Sequence, residues 1–121
     1  MGQTYRVLNA AGAGSVTSQA AGQYGSLENG SFKLGILYTN RIKGKTGLWQ
    51  VGTSVGWEGT LTAQGRSDSS APWSTVGQIT HGDLDSNKSC VRQVNLMPQM
   101  RFVSEQTGGA DPASSAWITE A

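Results

Sequence analysis

The chain has one cysteine, Cys90, one histidine, His81, and three prolines in 121 residues. A lone cysteine closes no internal disulfide, so nothing marks a disulfide-stapled secreted domain. One cysteine and one histidine also exclude thiolate clusters and the common multi-histidine zinc sites. Charge is sparse: 14% of residues are charged and the formal net charge is +1. That balance gives no electrostatic footprint for nucleic acid or an acidic membrane surface. Leu, Ile, Val and Phe number only 22. With a high net charge so low a share would indicate disorder; near neutrality it indicates a thin core. There is no run of about eighteen apolar residues to span a membrane. The opening Met1-Gly2-Gln3-Thr4-Tyr5-Arg6 lacks the basic start and apolar stretch of a signal peptide.

What the chain does have is Gly, Ser and Thr, 42 residues in all. Coiled coils and long bundles need about half Ala, Glu, Lys, Leu and Arg, and are excluded. The glycines keep no three-residue period, so a collagen-like array is excluded as well. Nine aromatic residues, four of them Trp, are available to fill the interior, each ring burying about 150–250 Å². The length is that of one domain. So thin a core predicts added support from oligomer contacts, since binding to the folded state alone stabilises it.

Residues 1–31 are predicted to form an extended N-terminal arm or edge strands. From 9 to 31 they are rich in Gly, Ala and Ser, with edge strands placed around Val16 and Tyr24. Residues 32–121 are predicted to form the sandwich. Phe32 to Thr39 reads as a strand entered from the turn pair Asn29-Gly30. The clearest periodicity runs from 55 to 65, where Val55, Trp57, Gly59, Leu61 and Ala63 share one parity and Gly56, Glu58, Thr60, Thr62 and Gln64 the other. Further strands are read at 48–51, 73–80, 90–96, 101–106 and 116–119. Short strands at this spacing, with turn signals between them, predict an all-β sandwich of jelly-roll type.

The candidate chemistry is meagre. His81, Asp83, Asp85 and Ser74 are the residues of a nucleophile–base–acid set, but no G-x-S-x-G elbow accompanies them, and His81 beside Gly82 reads as a turn. Asp83-Leu84-Asp85-Ser86-Asn87 opens like a calcium loop. The sixth position is Lys88 instead of Gly and the twelfth is Val94 instead of Glu, so a hairpin loop is the plainer reading. Paired carboxylates for glycoside hydrolysis are not evident, Glu58 being the best of the acids. Arg41, Lys43 and Lys45 form a basic loop without interleaved aromatics. Asn29-Gly30-Ser31 and Asn87-Lys88-Ser89 match the glycosylation pattern but read as turns. Trp57 is expected in the core, Trp73 over a sandwich end, and Trp49 and Trp117 at an intersubunit surface. Pro98 lacks an N–H and ends the strand 91–96, after which Arg101 is expected to bond loop carbonyls or Asp68.

The second half also carries a resemblance. Gly65-Arg66-Ser67-Asp68 precedes the Trp73 strand, and Leu96-Met97-Pro98-Gln99-Met100-Arg101 precedes the next. This is similar to small β-sandwich structural proteins of tailed-bacteriophage virions, where a Gly-Ser-x-Asp turn and an L-x-P-x-x-R corner occupy those places. Arg66 interrupts the turn here. The resemblance spans about half the chain, from Trp57 to Ile118, and its motifs are structural. It implies a non-enzymatic virion component, foremost a capsid decoration (cement) protein that bridges and stabilises neighbouring capsid subunits. The alternative is a carbohydrate- or receptor-binding module of a phage tail or fibre. The implied partners are copies of itself, as a homotrimer, and a major capsid or tail protein. No nucleic acid, membrane, cofactor or metal is expected. Tyr5, Val7, Val16, Tyr24, Trp49 and Trp117 are the expected partner contacts, and deleting residues 1–25 is expected to leave the sandwich folded.

Overall fold

Residues alternating between apolar and polar form strands with one buried face. The computed structural model describes residues 4–12, 14–17, 32–33, 36–38, 46–109 and 113–120. Among these the strands are β1 (Thr4–Ala11), β2 (Gly14–Thr17), β3 (Phe32–Lys33), β4 (Ile36–Tyr38), β5 (Thr46–Thr53), β6 (Glu58–Arg66), β7 (Ser74–Thr80), β8 (Ser89–Asn95), β9 (Gln99–Gly108) and β10 (Ser114–Glu120). A 3-10 turn, His81–Asp83, follows β7.

One sheet has the order β1-β10-β5-β8 and the other β3-β4-β9-β6-β7, with β2 also paired to β9. Every pairing is antiparallel. From β5 onward the chain passes repeatedly from one sheet to the other. The order is that of a jelly roll, two Greek keys wound into a sandwich.

The inner faces follow the period of two. Trp49 and Val51 on β5, Leu61 and Ala63 on β6, Met100 and Phe102 on β9, and Ala116 and Ile118 on β10 are all buried. Two rings compensate for the scarcity of aliphatic side chains. Trp49 and Phe102 lie tilted at 48°, with centroids 6.1 Å apart. Gly77 on β7 makes room for the indole: a Cβ there would stand 2.9 Å from Val94 and 3.2 Å from the Trp49 ring. One buried polar contact joins the two sheets, the hydroxyls of Ser104 on β9 and Ser114 on β10 meeting at 2.8 Å.

Several expectations are corrected. The boundary at residue 32 shifts: β1, at the edge of its sheet, is laddered to β10 from Thr4 to Ala11 with Val7 and Leu8 in the core. The described part of residues 1–31 therefore follows the edge-strand reading, and β2 contains Val16. Adjacent residues of a regular strand point to opposite faces. Here the register shifts between Arg6 and Leu8, and this irregularity lets both neighbours face inward. The strand read across 32–39 is instead two short strands, β3 and β4, paired Phe32 to Leu37. Val55 leaves the apolar parity and is 81% exposed. It sits in the tight turn ahead of β6, beside Gly56 at φ 82°, where the Trp57 N–H donates to the Ser54 carbonyl at 3.2 Å. Tyr24 and the basic residues Arg41, Lys43 and Lys45 lie outside the described residues.

Candidate functional site

The sandwich leaves two outer faces, and each carries one tryptophan. On the four-stranded sheet, the register sets Arg6, Trp117, Gln50 and Val91 in one row across β1, β10, β5 and β8. The rows beside it are Thr4, Thr119, Leu48 and Gln93, and Ser115, Gly52 and Ser89. Trp117 is half-buried, with the Arg6 guanidinium carbon 5.5 Å from its ring centroid.

On the other side of Trp117 is a glycine. A Cβ on Gly52 would lie 3.8 Å from the indole, so the missing side chain leaves a floor beside the ring. The resulting depression is about 340 Å³, walled by Trp117, Gln50, Asn87, Lys88, Ser89 and Ser115. The Gln50 amide donates to the Ser89 hydroxyl at 3.5 Å. The rim is fixed by the loop before β8. Lys88 takes the left-handed φ of 58°, its N–H donates to the Asp85 carbonyl at 2.9 Å, and its own carbonyl accepts from Thr53 N–H at 3.0 Å. The Asp85 carboxylate accepts from the N–H groups of Asn87 and Ser89 at 2.9 and 3.0 Å.

The outer face of the other sheet sets two arginines against its tryptophan. The Arg66 and Arg101 guanidinium carbons lie 4.2 and 4.5 Å from the Trp73 ring centroid. Arg66 Nε donates to Gln99 Oε1 at 2.8 Å and Arg101 Nε to Gln64 Oε1 at 2.7 Å. The pairing is dictated by register, since Gln64 is opposite Arg101 and Arg66 opposite Gln99 across β6 and β9. Burial pushes the Arg101 guanidinium below its ordinary pKa, and the neighbouring charge of Arg66 adds to the shift.

The catalytic and calcium readings dissolve into turn chemistry. His81 Nδ1 accepts the Gly59 N–H at 3.2 Å. Ser74 begins β7 and His81 follows its end, which separates them by roughly 23 Å of extended chain. Asp83 closes a capping box with Thr80, whose N–H and hydroxyl hold its carboxyl below the usual range. Arg92 faces it at 3.5 Å on the surface.

Of the expected partner contacts, Val7 and Trp49 have no surface to offer, being 0% and 1% exposed. Trp57 is in the core as expected. For Tyr5 and Val16 only the backbone is described, in β1 and β2, and Tyr24 is outside the described residues. Trp117 alone of the six presents a described side chain at the surface. Trp73 lies against Arg66 and Arg101 beside the end of β6, and Arg101 bonds Gln64 in place of loop carbonyls or Asp68. The Arg66–Trp73–Arg101 group escaped sequence reasoning because it depends on the β6–β9 register. The available signal was parity: Gln64 with Arg66, and Gln99 with Arg101, are two-residue neighbours on one strand face.

No protein-family model matches the chain, and no match was found among curated proteins. Among solved structures it is similar to a family 29 carbohydrate-binding module at 14% identity and a TM-score of 0.42, covering 99% of this chain and 86% of the other. It is also similar to a carbohydrate-binding module of the β-sandwich superfamily, at 12% identity and a TM-score of 0.42, covering 99% of this chain and 55% of the other. Similarity of this order carries nothing about ligand or mechanism.

Proposed function

We propose that the chain is a non-catalytic binding module that holds a glycan on the outer face of its four-stranded sheet, in the setting of a phage tail or fibre. The observation that supports this reading is the Trp117 depression. A pyranose ring presents an apolar C–H face and a rim of hydroxyls. An indole beside a side-chain-free floor matches the first, and amides and hydroxyls around it match the second. Gln50 and Asn87 each offer donor and acceptor, and Ser89 and Ser115 offer hydroxyls. The described lining contains no carboxylate and no nucleophile–base pair, so the chemistry present favours binding over cleavage.

Trp117→Ala should weaken binding of a neutral oligosaccharide by about thirtyfold, the loss expected of a central aromatic anchor. Gly52→Gln should do likewise by filling the floor, and the 3.8 Å clearance at its Cβ lets it fold. The test is a glycan array followed by calorimetry on both variants. Wild-type affinity in both, or no glycan bound by the parent chain, overturns the reading.

A second reading, the capsid decoration protein, draws on different residues of the same face. Leu48 and Val91 are 46% and 52% exposed, and among the described residues β8 has no strand on its outer side. Exposed apolar side chains next to an open edge are suited to contacts between copies. Sedimentation equilibrium should then show a homotrimer that Leu48→Lys with Val91→Lys dissociates; a monomeric parent chain at micromolar concentration overturns it.

A further inference from the structure

We infer that Arg66, Arg101 and Trp73, on the outer face of the β9–β6–β7 sheet, form an oxyanion site that takes a sulfate ester or carboxylate group of a ligand. It lies on the face opposite the Trp117 depression and does not depend on the reading given to that depression.

Two guanidinium groups share one indole. Each carbon is within 4.5 Å of the same ring centroid, so the two charges cannot be farther apart than twice that distance. Placing like charges so close is unfavourable, and among the described residues neither has a carboxylate within ion-pair distance. The nearby acids relieve it only in part: the Asp68 carboxylate feels the Arg66 charge but makes no ion pair with it. Asp68 is bonded to the hydroxyl and N–H of Ser70 at 2.7 and 2.8 Å. Glu105 is four residues beyond Arg101 along β9, roughly 13 Å of strand.

The arginines are also held in place. Their Nε hydrogens are committed to Gln99 and Gln64, and both guanidinium groups rest against the indole. The two Nη groups of each arginine remain to donate, in the fork geometry that matches two oxygens of a carboxylate or sulfate. Fixing the side chains beforehand lowers the entropy lost on binding. A depression of about 250 Å³ adjoins Arg101, lined by Ser15, Thr62, Gln64, Val103 and Glu105. This gives room for the uncharged part of the ligand that bears the anion, with the Ser15 and Thr62 hydroxyls and the Glu105 carboxylate to accept from or donate to its hydroxyls.

The test is an NMR titration of the full chain with three probes: inorganic sulfate, sulfated dextran and unsulfated dextran. Both sulfate probes should shift the Nε–H signals of Arg66 and Arg101 and the Trp73 indole signal, saturably and less at high salt. Tighter binding of the sulfated polymer identifies an ester on a chain as the source, and equal affinity identifies the free anion; either outcome supports the site. Arg66→Lys with Arg101→Lys keeps the charge and removes the fork, and should weaken binding by about tenfold. Wild-type affinity in that variant means diffuse attraction and overturns the inference. So does a non-saturating shift, no shift with either sulfate probe, or equal movement of the arginine signals with unsulfated dextran. Trp117→Ala should leave the arginine response unchanged, so loss of the glycan site and loss of this one are told apart.

Discussion

Removing residues 1–11 should unfold the protein, not trim an arm from it. Val7 and Leu8 are 0% and 1% exposed, and burying each contributes about 1.5–3 kcal/mol. Their loss uncovers Ala116 and Ile118 on the neighbouring strand and strips the β10 edge of the ladder that runs from Thr119 to Ser114. Together these come to on the order of 5 kcal/mol, against a total stability of about 5–15 kcal/mol for a domain. At this length each kcal/mol moves the melting midpoint by roughly 3–6 °C. The truncated chain should therefore lose its cooperative melt or melt more than about 15 °C lower. Leu8→Asp tests the same point without shortening the chain, because a carboxylate at that position is buried without a partner. A truncated protein with the parent melting midpoint and a native amide spectrum would return β1 to the status of an arm.

Replacing Trp49 by alanine is the next largest effect. The indole is 1% exposed, tilted against Phe102, and set over the space left by Gly77. A Trp→Ala change in such a core costs about 3–5 kcal/mol, through lost burial and the cavity left behind. Trp49→Phe should cost clearly less. The indole N–H has no acceptor among the described residues, so phenylalanine gives up ring volume but no hydrogen bond to them. Urea unfolding measures both, with unchanged slope and a midpoint lowered further in the alanine variant. Equal stability of Trp49→Ala and the parent would mean that the Trp49–Phe102 pair does not hold the sheets together.

The strand read at 55–65 shows how much the chain states locally. From Trp57 to Ala63 the whole apolar parity is buried, because one strand between a core and solvent needs only its own period to specify its faces. Thr62 is the one residue of the polar parity that is buried with it. The Leu48-Trp49-Gln50-Val51 stretch is different. Leu48 and Trp49 are both apolar, and which of them faces inward depends on Gly77 standing opposite on another sheet, a relation that no local window contains. The β1 irregularity between Arg6 and Leu8 is hidden for the same reason, since a bulge is defined by the partner strand. Both outer-face sites are likewise products of register. Trp117 gains its floor from Gly52, and Arg101 its partner from Gln64, through pairings of residues dozens of positions apart.

The hydroxyl pair between Ser104 and Ser114 has a consequence on a longer timescale. A single serine left there without its mate is an unsatisfied group in an apolar interior, a penalty of about 1–3 kcal/mol, whereas alanine at both places removes the demand altogether. The two positions are therefore not free to drift separately. A lineage that loses one hydroxyl passes through a weakened ancestor and is driven to lose the other, so descendants of this fold should carry both or neither.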